Sequence, residues 1–357
     1  MLIRSAVIQT SINSHVVHKT VTLDQSVSDF SLIEKYCPEL QIISIPLRRK
    51  FRGIMQREVA IFKGPEGWSE FGPFLEYDDN ESAYWMQAAL EAAYEPWPTL
   101  HRTKVAINAT IPLISPADVA EVLATFRGTS TAKVKIDDFD NGALVVERIL
   151  EINPEMNIRL DVNAGWSAED AIRNLGEYSK RFGDRIEYVE QPCKSLPELA
   201  EVKRNSDIPI AADESIRKNL DGDFSDFSRY ADVAIIKWQP IGGFKAAHEL
   251  ADRIGLPVVI SSALETGIGI SHGLALAASF ANSDRACGLG TVALFEGDIC
   301  NPPVIAVDGC IQVQRRDPDR YSMFPADSTR TLYWKERIVR VLNILERRRN
   351  EFDNARA

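Results

Sequence analysis

At 357 residues, with 45% apolar and 26% charged side chains, the chain has room for one large domain and a smaller one, and its composition is ordinary for a globular enzyme. A formal net charge of −10 argues against nucleic acid as the main partner, because phosphate backbones select basic faces. The five cysteines, at 37, 193, 287, 300 and 310, lack paired or metal-ligand spacing and read as reduced thiols of a cytoplasmic protein.

Residues 1–27 are polar, β-branched and without periodicity, and are expected to form an N-terminal extension. Their start lacks the basic region and sustained apolar core of a signal peptide. A short helix over 30–36 is followed by strands over 42–47 and 57–62, a tight turn at 64–67 and a further strand-like piece at 68–72. Residues 81–94 carry Trp85, Ala88, Ala89 and Ala92 at helical spacing. Glu95-Pro96-Trp97-Pro98 then reads as a domain boundary.

Beyond it the pattern changes to alternation. Strands are expected at 105–107, 132–136, 158–162, 186–189, 208–212, 233–236, 257–261 and 286–289, with helices over 117–126, 142–151, 168–182, 196–204, 243–254 and 269–281 between them. Such β-then-α repetition implies a parallel sheet covered by helices. Eight strands without a Gly-x-Gly-x-x-Gly turn favour a closed barrel over a dinucleotide fold. The apolar stretch 256–281 contains Glu265, His272 and several glycines, so it reads as strand, turn and buried helix and not as a membrane span. The tail, 331–352, places Trp334, Ile338, Val341, Leu342 and Leu345 on one helical face, and its run of three arginines reads as a solvated surface.

Five of the strands end in a charged residue: Lys135, Asp161, Glu190, Asp213 and Lys237. Successive members are 26, 29, 23 and 24 residues apart, the length of one βα unit. Parallel strands bring all five to one rim. A charge inside such a strand is costly unless paired, ligated or functional, so each is informative. Asp161, Glu190 and Asp213 offer hard oxygen donors with no histidine or cysteine cluster, which points to Mg²⁺ or Mn²⁺. Glu214 would face elsewhere and is not counted as a ligand. Lys133 and Lys135 share a strand face. Burial and a neighbouring cation both favour a neutral lysine, which can then act as a base. Lys237 lies across the barrel, so an amine stands on either side of a metal-bound carboxylate. That arrangement suits proton abstraction beside the carboxylate. His101, His248 and His272 lack a comparable setting, and no nucleophilic serine motif is present.

Lys133-Val134-Lys135, Asp161-Val162-Asn163, Val189-Glu190-Gln191-Pro192, Ala212-Asp213-Glu214-Ser215 and Ile236-Lys237 resemble the muconate-lactonising branch of the enolase superfamily, where a lysine or histidine base with Mg²⁺ is general. Phe51-Arg52-Gly53-Ile54, Arg57-Glu58, Gly67-Trp68-Ser69-Glu70-Phe71, Glu76-Tyr77-Asp78-Asp79, Ser261-Ser262-Ala263-Leu264-Glu265-Thr266 and Gly288-Leu289-Gly290-Thr291 resemble the o-succinylbenzoate synthase family within it, of the actinobacterial kind.

The resemblance implies a modified TIM barrel, (β/α)₇β, over 100–310. An α+β capping domain would span 28–99, and a C-terminal segment, 311–357, would pack on barrel or cap. It implies Asp161, Glu190 and Asp213 as Mg²⁺ ligands, with Mn²⁺ an alternative, and Lys135 as the residue that removes the proton. Lys237 would stabilise the enediolate from the opposite face, and Lys133 would hold the substrate carboxylate and lower the Lys135 pKa. Arg159, Ser262 and Gly288 match positions near substrate, and a barrel-facing arginine also suits an anionic ligand in its own right. The implied reaction is a syn dehydration of 2-succinyl-6-hydroxy-2,4-cyclohexadiene-1-carboxylate in menaquinone biosynthesis. The partner is then a small anionic carboxylate, with no nucleic acid and no membrane; oligomeric state is left open. Two alternatives stand: an N-succinylamino acid racemase using the same two lysines, and a non-catalytic binding protein on the same fold.

Overall fold

The structure, a computed structural model, describes residues 30–356. The extension expected over 1–27 lies outside the described residues. A short helix α1 (Ser31–Tyr36) precedes an antiparallel sheet of β1 (Gln41–Phe51), β2 (Ile54–Gly64) and β3 (Gly67–Phe71). The β1–β2 hairpin turns through Arg52 and Gly53, with φ of 48° and 80°. Both positive values are what a type I′ turn requires, which explains glycine at the second place. Both strands run to 11 residues, longer than their apolar cores suggest, because the arms continue past the sheet toward the barrel mouth. The helix α2 (Asp79–Tyr94) is capped by the Asp78 side chain, which accepts from the Glu81 N–H, and it buries Trp85, Ala88, Ala89 and Ala92.

The next strand departs from expectation. β4 (Lys104–Ala106) pairs antiparallel with a late strand, Val105 lying opposite Ile311, while Ala106 to Asn108 meet Cys287 in the barrel and the regular barrel ladder begins at β5 (Ala109–Ile111). Alternating apolar residues at 105, 107, 109 and 111 leave that choice undetermined until the late partner is known. After α3 (Val119–Ala124) the order is β6 (Thr131–Lys135), α4 (Phe139–Ile152), β7 (Asn157–Asp161), α5 (Ala168–Phe182), β8 (Ile186–Glu190), α6 (Leu196–Arg204), β9 (Ile210–Ala212), α7 (Glu214–Arg217), β10 (Val233–Ile236), α8 (Trp238–Ile241), α9 (Phe244–Ile254), β11 (Val258–Ile260) and α10 (Gly267–Ser279). The chain ends with β12 (Cys310–Gln312), the partner of β4, and the long α11 (Ser328–Arg356). Side-chain caps start α4, α5 and α6 at Asp138, Ser167 and Ser195, the last in a reciprocal capping box with Glu198.

β5 to β11 form one curled parallel sheet of seven strands in chain order. Residues 286–288 complete it, since Cys287 bridges Ile107 and Gly288 bridges Ser261, both parallel. The central strands are buried throughout, as a sheet covered on both faces demands. Among the described residues no helix is long and apolar enough to cross a membrane.

α11 packs on α2 and β1. Its Arg337, 1% exposed, donates to the carbonyls of Phe74 (3.0 Å) and Tyr77 (2.7 Å) and to the Ser82 hydroxyl (2.9 Å). Arg330 (2.6 Å) and the Trp334 indole N–H (2.8 Å) donate to Glu58 of β2. The cap is fastened to the barrel in turn by Glu70 of β3, which accepts from the N–H groups of Thr266 and Gly269 at the start of α10. A carboxyl group suits the exposed N–H groups of a helix start.

Arg337→Leu keeps the aliphatic bulk but leaves buried carbonyls unpartnered, and should lower unfolding free energy by about 3 kcal/mol. Urea denaturation measures it; a loss smaller than about 1 kcal/mol would mean that the guanidinium does not secure the 73–82 turn to α11.

Candidate active site

Residues at successive strand ends of a parallel barrel share one rim, and here the register is direct. Lys135 pairs with Asp161, and Asp161 with Glu190. Asp213 and Lys237 follow immediately after β9 and β10. Lys135 and Lys237 therefore stand on opposite sides of the barrel, with β7, β8 and β9 between them. Asp161, Glu190 and Asp213 are each 1% exposed.

The Lys133 ammonium lies 3.0 Å from Asp161 and donates to both Glu190 oxygens at 3.1 Å. Lys135 donates to Asp161 (2.6 Å) and to the Asn163 amide oxygen (2.7 Å), and Lys237 to Asp213 (2.5 Å). Charges this deep must be compensated, and the cluster does so with equal numbers of each sign.

Titration follows from these contacts. Burial, helped by Lys133, lowers the Lys135 pKa, against the pull of Asp161. Burial also works against the Lys133 cation, but Asp161 and Glu190 outweigh it and hold its pKa well above the usual value. Burial alone would raise Asp161, yet Lys133 and Lys135 bring it down. Asp213 is likewise lowered, burial being overcome by Lys237 and Arg217. Glu190 goes the other way, pushed up to about 7 by burial and by Asp161.

Among the described residues no group of three His, Cys, Asp or Glu side chains is close enough to hold a metal ion as it stands, the Lys133 ammonium lying between Asp161 and Glu190 and the Lys237 ammonium sitting on Asp213. The donors nonetheless fit a hard divalent cation. One ammonium already bridges Asp161 and Glu190, so those two carboxylates are within reach of a common ion. The Asp161 Oδ1 atom is buried without a hydrogen-bond partner. All three groups offer oxygen.

The strand-end loops are held in uncommon conformations. Asn163, Ala164, Gln191 and Leu264 have φ between 42° and 63°, the left-handed region. Gln191, fully buried, uses its whole amide. Its oxygen accepts from the N–H groups of Asp213 and Ser215, both at 3.1 Å, and its nitrogen donates to the Cys193 carbonyl (2.9 Å) and the Ser215 hydroxyl (2.7 Å). It thereby fixes the spacing of Glu190 and Asp213. Arg57 of β2 donates to the Leu264 carbonyl (2.9 Å) and to the Gly72 carbonyl, so the cap braces the loop after β11.

A cavity of about 40 Å³ lies above the cluster, lined by Lys133, Lys135, Lys237, Ser262 and Gly288 among others. Ser262 hydrogen-bonds Thr291 at 2.8 Å. A Cβ on Gly288 would come 2.5 Å from the Ser261 hydroxyl, so only glycine leaves that wall open. Arg159, expected at the substrate, is absent from the lining. Its side chain turns to the barrel floor, donating to both Glu187 oxygens (2.8 and 3.1 Å), Asn108 (3.2 Å) and the Ala286 carbonyl (2.6 Å). Glu187 is on the adjacent strand and offers a bidentate partner that the rim does not. The lining also contains Phe51, Arg52, Thr110, Asn163 and Glu214, which sequence reasoning assigned no site role. Asn163 carried a signal, lying two residues beyond Asp161; Thr110 lies in β5, beyond the 105–107 bounds expected for the first barrel strand. A larger cleft of about 720 Å³, around Arg48, Arg127 and Phe295, holds none of the lysines.

Family comparison agrees with this architecture. Residues 42–93 match the enolase N-terminal domain-like family and 117–318 the enolase C-terminal domain-like family. The muconate lactonizing enzyme from Pseudomonas fluorescens superposes with a TM-score of 0.68 at 19% identity, over 82% of this chain and 100% of that one. The fold and site thus define an enolase-like protein. Among sequence relatives, o-succinylbenzoate synthase of Mycobacterium tuberculosis (strain ATCC 25618 / H37Rv) is 41% identical over 323 residues, covering 88% of this chain and 96% of that protein. That of Mycobacterium ulcerans (strain Agy99) is 43% identical over 313 residues, covering 87% and 95%. The chain belongs to the o-succinylbenzoate synthase family of the enolase superfamily.

Glu265 sets one wall of the cavity by accepting from the Ala263 N–H at 2.6 Å, while its other oxygen is buried and unpartnered. Burial pushes its carboxyl up to about 7, against the Ala263 N–H and Arg57, and burial with Glu265 pushes nearby Glu70 up to about 8. Between an unfolded-state value near 4.5 and these values, the folded protein holds protons the unfolded chain has released, so stability falls as pH rises through that window. Glu265→Gln should remove the Glu265 share. It should match the parent near pH ~4 and exceed it by about 1–3 kcal/mol above pH ~7. Denaturation curves at the two pH values test this; equal stability at both would place the Glu265 carboxyl in its ordinary range.

Proposed function

We propose that the protein catalyses the Mg²⁺-dependent syn dehydration of 2-succinyl-6-hydroxy-2,4-cyclohexadiene-1-carboxylate to 2-succinylbenzoate, the o-succinylbenzoate synthase step of menaquinone biosynthesis. The observation that carries the reading is the placement of Lys135 and Lys237 on opposite sides of one rim, with three buried carboxylates on the strands between them.

Asp161, Glu190 and Asp213 would hold the cation, Mg²⁺ or in its place Mn²⁺. When bound, it supplies positive charge that stabilises the substrate carboxylate as the adjacent proton leaves. The lowered pKa of Lys135 favours the neutral amine needed to take that proton. The same nitrogen, now an ammonium, returns the proton to the hydroxyl leaving from the same ring face. The C–H and C–O bonds break, the ring becomes aromatic, and water departs. Lys237 remains an ammonium over the other face and balances the developing negative charge. Lys133, held charged between Asp161 and Glu190, keeps a cation at the floor of the cavity and makes protonation of Lys135 costlier. Ser262 and Gly288 would line the substrate; Arg159 would support the floor beneath it.

A small anionic carboxylate suits a cavity carrying three lysines. Five free thiols support a reducing compartment, and hence a cytoplasmic protein.

An ultraviolet assay for the aromatic product tests the reading. Turnover should vanish with a chelator and return with Mg²⁺, and Lys135→Ala should lose at least about 10³-fold in rate. Amines on both faces also suit two-base exchange. Incubation with N-succinyl amino acids in deuterated buffer separates the two reactions. Fast α-deuterium incorporation, with no aromatic product from the cyclohexadiene, would replace dehydratase by racemase.

A further inference from the structure

A connection from the proposed metal-ligand carboxylates to the tip of the cap hairpin begins at Arg217. This residue is 8% exposed and its guanidinium meets three groups at once. Its Nε lies 3.3 Å from Asp213 Oδ1, one terminal nitrogen is 2.9 Å from Glu214, and the other donates to the Tyr77 hydroxyl oxygen at 3.2 Å. The same Tyr77 oxygen accepts from Arg52 at 3.3 Å. Arg52 forms the hairpin tip, lies over the Phe74 ring at 4.1 Å and lines the cavity. A chain of contacts thus runs from Asp213, whose Oδ1 pairs electrostatically with Arg217 without accepting a hydrogen bond, through Arg217 and the Tyr77 hydroxyl to Arg52.

Two physical points give the path a consequence. A guanidinium is a planar fork, so turning it to follow one partner turns it for the others. Asp213 is held between two cations, Lys237 on one oxygen and Arg217 beside the other, so any cation taken up by Asp213 alters what Arg217 faces. The cavity, at about 40 Å³, has room for only a few waters. A ring bearing two carboxylates cannot enter unless part of the lining moves, and the hairpin tip at 51–53 is the part not built into the barrel.

We propose that Arg217 and Tyr77 are positioning residues that link divalent-cation binding at Asp213 to ordering of the hairpin tip over the cavity. The inference rests on the metal-dependent reading given above. By reciprocity, whatever orders the tip on cation binding also tightens the cation when the tip is closed.

Tyr77→Phe tests the link with little disturbance. It deletes one oxygen and keeps the ring that packs edge-on to Phe74 and against Trp85. Mn²⁺ uptake by the full chain is followed by the electron paramagnetic resonance signal of the free ion, and amide hydrogen exchange over 51–54 is measured with and without Mn²⁺. In the parent, Mn²⁺ should slow exchange there by about fivefold or more, the lower end of ordinary coupling energies. In Tyr77→Phe, Mn²⁺ should still bind and the slowing should disappear. Binding with equal slowing in both proteins, or with none in either, overturns the coupling and leaves the dehydratase reading intact. A parent protein that takes up no Mn²⁺ overturns that reading and the coupling together.

Discussion

Charge compensation inside an apolar barrel is the constraint on which the rest of the structure depends. Lys133, Lys135 and Lys237 face Asp161, Glu190 and Asp213 in a region almost without solvent, and an isolated charge there would be prohibitive. The balance of three against three makes the ensemble tolerable, and it also makes it responsive. Any added positive charge tips the cluster toward excess cation, and the group best placed to relieve it by losing a proton is Lys135, whose pKa burial and Lys133 already depress. An anionic ligand relieves the same excess. The electrostatics that permit the cluster to be buried therefore also favour a neutral base and a carboxylate partner.

Much of this was legible in the sequence because a parallel barrel is close to a one-dimensional object. Strand ends recur at nearly constant spacing, so charges at those ends must share a rim, and Lys135, Asp161, Glu190, Asp213 and Lys237 do. The first barrel strand was harder. Residues 105–111 alternate throughout, and only the antiparallel partner at Cys310–Gln312 decides that β4 forms a separate ladder while 106–108 touch the barrel at Cys287 and β5 joins its sheet. The capping side of the site was legible as local structure but not as location. The turn read at 64–67 joins β2 to β3, whereas the turn at Arg52-Gly53, which reaches the cavity, carried no local signal of its location. Long-range placement of that kind depends on the Glu70 contact with α10 and on Arg337 in α11, side chains whose partners lie roughly two hundred residues or more away.

The uncommon backbone at the rim fits the same logic. Asn163, Ala164, Gln191 and Leu264 turn the chain sharply just after β7, β8 and β11. Such conformations persist only where the surroundings over-determine them. The Gln191 amide, with four hydrogen bonds, and Arg57, gripping the Leu264 carbonyl, supply that determination. Cap and barrel are thus not independent layers, because the cap's buried arginine helps hold a loop that lines the barrel's cavity.

Arg159 shows where a face-based argument stops. It sits on the same strand face as Asp161, in register with Lys133 on one side and Tyr188 on the other, one layer below the rim. Lys133, in that same layer, sends its ammonium up to the rim carboxylates, where a point charge on a flexible stem can be satisfied by several oxygens. Arg159 carries a rigid fork, and the matching pair of oxygens is the Glu187 carboxylate at the floor. The guanidinium lies 4.9 Å from the Tyr188 ring centre, which further suits a planar cation. Period-two alternation places both side chains inside the barrel. Which end each one serves is decided by the shape of its charged group and by where a complementary acceptor stands.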